Sequence, residues 1–496
     1  MKTPLWGSQS WLQPSFRRLL AETASASKLR VSYAALFEEY SVVRRGGFRP
    51  VQPAFSRLAP LAAAPAIYTC YRNLMRIGFV FCTCLFALSA AEPPIVIAPT
   101  PPMGWNSWDA YGTSVTEAEV KANADYMAAK LKSHGWQYIV VDIQWSDPLA
   151  KPHGYRPDAE LAIDEFGRLI PAVNRFPAGF KALGDYLHAR GLKFGIHIMR
   201  GIPRRAVAAN LPIAGSKARA ADIADTKSIC RWNTDMYGID MSKPGAQDYY
   251  DSILTLYAGW GVDFIKCDDI AQPFHGDEIA ALHKAILRTK RPIVLSLSPG
   301  PAELSKAAFY AANANLWRIS GDFWDLWTDL RKTFDLLDKW SPYVQPGGWP
   351  DADMLPLGRI GIRAERGNDR RTRFTPAEQR TLMTLWSIAR SPLMFGGDLP
   401  SNDAATEALL TNDEVLAANQ KGTHSRKLSQ QGDAVIWTSD VGGRQYFAAF
   451  NLGEIPDLLI TIPGTGPLRD VWEHRDLTNR TLRLEPHSAA LVVHVP

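Results

Sequence analysis

From residue 102 onward the chain alternates short apolar runs with longer amphipathic stretches. The runs with strand character are MGWNSW (103–108), YIVVDIQW (138–145), LKFGIHIM (192–199), VDFIKCDDI (262–270), PIVLSLSPG (292–300), LWRISGD (316–322), GGWPDADML (347–355) and PLMFGGDL (392–399). Between them lie segments of helical period, among them TEAEVKANADYMAAKLKSHG with Thr116 as N-cap, PGAQDYYDSILTLYAGWG, a short helix at 276–288, and TPAEQRTLMTLWSIARS. Eight β-then-α units over roughly 300 residues predict an α/β chain folded as a parallel (β/α)₈ TIM barrel. A doubly wound open sheet is the runner-up, but no Gly-rich nucleotide fingerprint follows the first strand.

After about residue 405 the texture changes. DAVIWTSD, RQYFAAFNL, DLLITIPG, LRDVWEH and SAALVVHV are short strands separated by turn residues, without helical periods. They predict a C-terminal antiparallel β-sandwich over 405–496, so that the catalytic barrel occupies 92–404.

Composition adds aromatic side chains: the 16 Trp sit largely at strand ends. Rings beside polar groups suit sugars, whose C–H faces pack on them while hydroxyls are hydrogen-bonded; ordinary core packing is the competing reading. The net charge of +5 says less than it seems, because residues 1–91 hold 11 Lys/Arg against 3 Asp/Glu and the remainder 44 against 47. No basic face for nucleic acid survives that division.

The basic segment has its own logic. Met75-Arg76 precedes the apolar run IGFVFCTCLFALSA and then small residues before Glu92, the pattern of a secretory signal peptide over 75–91. The run is too short for a membrane span, so none is expected once the signal is removed. The late start implies translation from Met75, with residues 1–74 a gene-start artefact; a disordered or membrane-associated extension is the alternative. Secretion or periplasmic export would remove Cys70, Cys82 and Cys84 and permit a disulfide between Cys230 and Cys267, with two free buried thiols as the alternative.

In such a barrel, function collects at the C-terminal ends of the strands. Those ends supply Trp105, Trp108, Asp142, Lys266, Asp268, Asp269, Arg318, Asp322, Asp351 and Asp353. No HExxH, CxxC or His cluster appears, so no metal or other cofactor is called for; His197, at the end of the third strand, reads as a hydrogen-bonded pocket or core residue. Carboxylates, a few cations and aromatics are the equipment of a glycosidase, which needs one carboxylate at the anomeric carbon and one carboxylic acid at the leaving oxygen. Strand alternation puts Lys266 and Asp268 on one face and Cys267 on the other, and a nearby lysine keeps a carboxylate ionised. Asp269 is a competitor better read as a loop or cap residue, and Asp322 could be no more than a helix N-cap.

MGWNSW, the Asp142 strand, FIKCDD, WRISGD and GGWPDADML, in this order and spacing, resemble glycoside hydrolase family 27, the α-galactosidase and α-N-acetylgalactosaminidase family, over residues 100–496. The resemblance implies a retaining double displacement with Asp268 as nucleophile and Asp322 as acid/base. It implies further that Lys266 and Arg318 bind sugar hydroxyls, that Trp108 forms a wall beneath the ring, and that Asp353 either contacts the sugar or supports residues that do. Two positions depart from the family pattern. Where galactosidases often carry a Glu that reads the C2 substituent, this chain has Ser298, as the family's N-acetylgalactosaminidases tend to. Where the second strand commonly ends Asp-Asp, the second residue is Ile143. An apolar wall at the C6 end would suit β-L-arabinopyranose, which is α-D-galactopyranose without its hydroxymethyl group; the alternative is that Ile143 turns to the core. The family default is an exo-acting α-galactosidase on galactose-containing glycans. β-L-arabinopyranosidase is the close rival, and α-N-acetylgalactosaminidase or a non-catalytic carbohydrate-binding barrel are more distant ones.

Overall fold

The computed structural model describes residues 96–157 and 159–495. The leader, the extension before it and its cysteines lie outside the described residues. Eight strands form the parallel sheet: β1 (Met103–Asn106), β2 (Tyr138–Val141), β3 (Lys193–Met199), β4 (Val262–Asp268), β5 (Val294–Leu297), β6 (Leu316–Arg318), β7 (Trp349–Asp351) and β8 (Leu393–Phe395). Each pairs with its neighbour in chain order, and β8 pairs back onto β1. The ring closes between β7 and β8, where Leu355 bridges to Phe395 and its N–H donates to the Met394 carbonyl at 2.8 Å. Strands covered on both faces read as nearly unbroken apolar runs, which is why YIVV, with all four residues buried, stands out in the sequence.

Two of the helices between strands start at side-chain caps. Helix α1 (Glu117–Tyr126) starts at a capping box in which Thr116 and Glu119 satisfy each other's backbone N–H groups, as expected. Helices α2 (Gly179–His188), α3 (Ala246–Gly259), α4 (Gly276–Thr289), α5 (Ala307–Asn313) and α6 (Trp327–Trp340) follow β2 to β6. Helix α7 (Pro376–Ala389) has a second capping box, Thr375 with Glu378, and every residue from Thr381 to Ala389 is buried.

The boundary with the β domain differs from the sequence expectation. Residues 405–421, placed in the β domain from the sequence, lie instead in helices α8 (Ala404–Thr411) and α9 (Asp413–Lys421). Side-chain caps from Asp403 and Asn412 start them; they are too short for helical periodicity to declare itself. The strands begin at Gly422: β9 (Gly422–Gln431), β10 (Ala434–Val441), β11 (Arg444–Asn451), β12 (Leu458–Thr461), β13 (Leu468–Asp470), β14 (Arg475–Leu477), β15 (Thr481–Leu484) and β16 (Ala489–His494). Six make one antiparallel sheet in the order β9-β10-β11-β16-β13-β14, and β12 pairs with β15 as a separate ribbon. Ile436, Phe447, Ile460, Leu484 and Val492 form a small core there.

Helix α7 joins the two parts. Thr381 Oγ1 donates to the His487 carbonyl at 2.7 Å, and Trp472 Nε1 donates to Thr384 Oγ1 at 2.9 Å. On its other side Trp386 Nε1 donates to the Asp353 carbonyl at 3.0 Å, which ties the β domain to the mouth of the barrel.

The tryptophans are mostly core: Trp105, Trp136, Trp145, Trp317, Trp349, Trp386 and Trp437 are fully buried. Cys230 and Cys267 are free buried thiols, the alternative to the disulfide that export would permit. Strand alternation turns Cys267 away from the barrel axis, while Cys230 is hydrogen-bonded to the Asp269 carboxylate, and burial pushes its thiol up to about 12. Among the described residues no helix is long and apolar enough to cross a membrane.

Candidate active site

At the C-terminal mouth of the barrel lies a cavity of about 310 Å³. Eight of the nine residues singled out from the sequence line it: Trp108, Asp142, Lys266, Asp268, Ser298, Arg318, Asp322 and Asp353. They arrive from six different strand ends, the arrangement by which a barrel builds a site from residues far apart in sequence.

On one wall, β2 and β4 bring Asp142, Lys266 and Asp268 together. Lys266 Nζ donates to Asp142 Oδ2 at 2.9 Å and stands 3.9 Å from Asp268 Oδ2. Asn106 Nδ2 donates to the same Asp142 oxygen at 2.7 Å, and the Ile143 N–H donates to the other at 2.8 Å. Burial works against ionising Asp268, yet the Lys266 ammonium, the hydrogen bond from His197 and the nearby Ser298 hydroxyl hold it well below the usual carboxylate range. Asp142 is likewise lowered: its burial is outweighed by Lys266, His197 and the Ile143 N–H together. Burial opposes charge on Lys266, but the two carboxylates raise its pKa and keep it an ammonium. Asp268 Oδ1, by contrast, is buried without a hydrogen-bond partner.

On the facing wall the balance reverses. Arg318 pairs with Asp353 at 2.7 Å and with Asp322 at 3.3 Å. Asp353 is pushed up to about 7, by burial first and then by Asp322 and Asp351, against the pull of Arg318. Its Oδ2 accepts the Phe323 N–H at 2.8 Å. Asp322 is the exposed member, its side chain 42% accessible at the pocket mouth. It caps no helix: α6 begins five residues later with Leu326 at its N-cap.

Trp108 supplies an aromatic face, stacked on Tyr155 at 5.3 Å between ring centroids. Tyr155, Trp232, Trp324, Glu365, Arg366 and Asp109 also line the cavity, and none was singled out from the sequence. Asp109 follows MGWNSW directly and reads as a helix-start residue; it is buried, and burial raises its pKa well above normal. Gly396 makes room for it, since a Cβ there would collide with the Asp109 carboxylate. The others come from loops without periodicity, where sequence offers no positional signal.

Two expectations need revision or gain a reason. Ile143 does not line the cavity. It lies behind it, against a small separate cavity shared with Gln144, Leu161, His197 and Asp235. The chain reverses the direction of successive side chains at the end of β2, so sending Asp142 into the mouth sends Ile143 away from it. Asp269 is also outside the cavity, held by Arg200 at 2.7 Å, which in turn binds Glu278 at 2.7 Å. That buried network accounts for Asp269 without catalysis.

A barrel with paired aspartates and cations at its mouth defines a class, the glycoside hydrolases of (β/α)₈ fold. The family model of α-galactosidase A matches residues 100–243 and 239–421, and the chain belongs to that family, glycoside hydrolase family 27. A β-L-arabinopyranosidase of this family from Geobacillus stearothermophilus is 55% identical, with a TM-score of 0.79, covering 80% of this chain and 97% of its own. A putative α-N-acetylgalactosaminidase from Bacillus halodurans is 48% identical, with a TM-score of 0.72 and the same coverage of 80% and 97%. The α-galactosidase of Coffea arabica is 31% identical over 76% of this chain and 87% of its own.

Proposed function

We propose that this protein is a retaining exo-glycosidase that removes terminal β-L-arabinopyranosyl residues and acts more slowly on α-D-galactopyranosides. One observation carries the choice of sugar: the end of β2 offers the cavity a single carboxylate, Asp142, and the next residue, Ile143, offers none. Asp142 is already committed to Lys266 and Asn106. A sugar with a C6 hydroxyl loses an acceptor that a sugar without C6 never needs. The 55% identical arabinopyranosidase supports the same reading.

In this reading Asp268 Oδ1 attacks the anomeric carbon as the C1–O bond breaks, and the leaving oxygen takes the proton of the Asp322 carboxyl. Asp322, now a carboxylate, takes a proton from water while the water oxygen attacks C1 from the opposite side. The C1–Oδ1 bond then breaks and its electron pair returns to Asp268. Lys266 and Asp142 bind ring hydroxyls, and Arg318 and Asp353 complete the far side. Ser298 stands near the nucleophile with room for a hydroxyl at C2.

The test is kcat/KM for nitrophenyl β-L-arabinopyranoside and α-galactoside on wild type and Ile143→Asp. Wild type should prefer the arabinoside by a factor on the order of 100 or less, since a site that merely lacks an acceptor for an added hydroxyl rejects it only weakly. In the variant a carboxylate in the small cavity behind β2 would stand beside Asp235 with no lysine or arginine in the lining, so it is driven toward the mouth, where it can accept the C6 hydroxyl. The ratio should move toward galactose. A wild type that prefers the galactoside, with a ratio indifferent to the substitution, would restore α-galactosidase as the reading.

A further inference from the structure

We propose that His197 is a positioning residue that fixes which oxygen of Asp268 attacks and makes the aspartate a better leaving group when the glycosyl-enzyme is hydrolysed. The inference rests on Asp268 being the nucleophile.

His197 lies on β3 directly opposite Lys266 of β4, so its side chain points to the same face as Lys266 and Asp268. Its Nε2 is 2.7 Å from Asp268 Oδ2, and the imidazole is 2% exposed. A carboxylate only accepts hydrogen bonds, so Nε2 carries the proton and donates. Its main chain is fixed, because Trp145 Nε1 donates to the His197 carbonyl at 2.7 Å and the backbone lies inside the β3–β4 ladder. Charged and titratable groups face the imidazole from each neighbouring element. Asp268 and Lys266 come from β4, Asp142 from the end of β2, and Asp235 from the segment before the strand Met236–Ile239.

The two oxygens of Asp268 are therefore not equivalent. Oδ2 is held by His197, with Lys266 beyond, while Oδ1 has no partner. Oδ1 is the oxygen free to bond C1, and Oδ2 becomes the ester carbonyl of the intermediate. An ester carbonyl is a weaker acceptor than a carboxylate. The His197 bond thus strengthens as the C1–Oδ1 bond breaks and negative charge returns, which favours deglycosylation. A residue that only filled space would favour neither step.

The experiment uses 2,4-dinitrophenyl β-L-arabinopyranoside, whose leaving group makes deglycosylation rate-limiting. In His197→Phe, kcat should fall about 10- to 100-fold, the cost of losing a hydrogen bond to a charged group. KM should fall with it, kcat/KM should change much less, and a pre-steady-state burst of one equivalent of dinitrophenol should grow. His197→Gln places an amide donor near the Nε2 position and should restore kcat to within a few-fold of wild type. His197→Asn, equally polar but too short to reach Asp268, should behave like Phe and carries the test if Phe does not fold. Loss of kcat at unchanged KM with no enlarged burst, or Gln no better than Asn, would overturn the proposal. Asp268→Ala serves as the control. If it keeps near-normal turnover, the nucleophile assignment falls first. If it is inactive while the His197 variants match wild type, only the inference about His197 falls.

Discussion

The two walls of the cavity are built from the same residue types and reach opposite electrostatic results. On the β2–β4 wall two carboxylates share Lys266, and His197, Asn106, Ser298 and the Ile143 amide supply further donors; both aspartates are held below their ordinary pKa. On the β6–β7 wall Arg318 faces Asp322, Asp351 and Asp353 with few other donors, and Asp353 and Asp351 are raised. Asp351 and Asp353 are buried, as Asp142 and Asp268 are. The difference lies in the number of donors per carboxylate, and it assigns the walls to different work: a permanently ionised group on one, exchangeable protons on the other.

Removing the anchor of the ionised wall should have the largest effect. Asp268→Ala is expected to lower turnover on the order of 10⁴-fold or more, the scale seen when a covalent nucleophile is deleted. Azide should restore activity and give the inverted glycosyl azide, identified by NMR, because it fits the space of the missing carboxylate. If Asp269→Ala instead carried the loss, the β2–β4 wall would have been misread, although the Arg200 network makes Asp269 a structural group.

On the other wall the expected effect depends on the substrate. Asp322→Ala should cost roughly 10²- to 10⁴-fold on a natural sugar aglycone, the worth of general acid catalysis. It should cost far less in the glycosylation of a dinitrophenyl substrate, which needs no proton. Equal losses for good and poor leaving groups, measured as kcat/KM, would remove Asp322 from the acid role.

The smallest effect sharpens the comparison through stability. Asp353 keeps its proton in the folded state up to about pH 7, whereas an unfolded aspartate loses it near 3.9. Its raised pKa therefore destabilises the folded protein as pH rises through that window. Wild type should lose on the order of 4 kcal/mol between those limits from this group, and Asp353→Asn should remove that part of the slope. Urea unfolding of both proteins at several pH values measures it; parallel slopes would mean that Arg318 keeps Asp353 ionised.

Much of this site was legible because strand ends in a barrel announce themselves. Lys266 and Asp268 are two apart on a β-branched run, and WRISGD and WPDAD end short apolar segments before a helix. Legibility failed where local pattern carries no register. Asp109 sits inside a helical turn, and Tyr155, Trp232, Glu365 and Arg366 come from loops whose paths depend on the finished fold. Helices α8 and α9 are set by single capping residues in a stretch of mixed polarity. Ile143 was misplaced for a subtler reason: the identity of the residue was informative, but its direction is fixed by where Asp142 points.

Helix α7 has a consequence in time. Its last residue is Ala389, and the strands that cover its outer surface run to His494. At roughly 5–20 residues per second, a ribosome needs about 5–20 s to deliver that stretch. Once β8 has followed a few residues later, the barrel has all eight strands but keeps an apolar helix uncovered, and the Asp353 carbonyl depends on Trp386 of that same helix. Completion of the catalytic mouth thus waits for the final strand of a different domain, and a nascent chain paused in the β domain would be a client for chaperones rather than a slow enzyme.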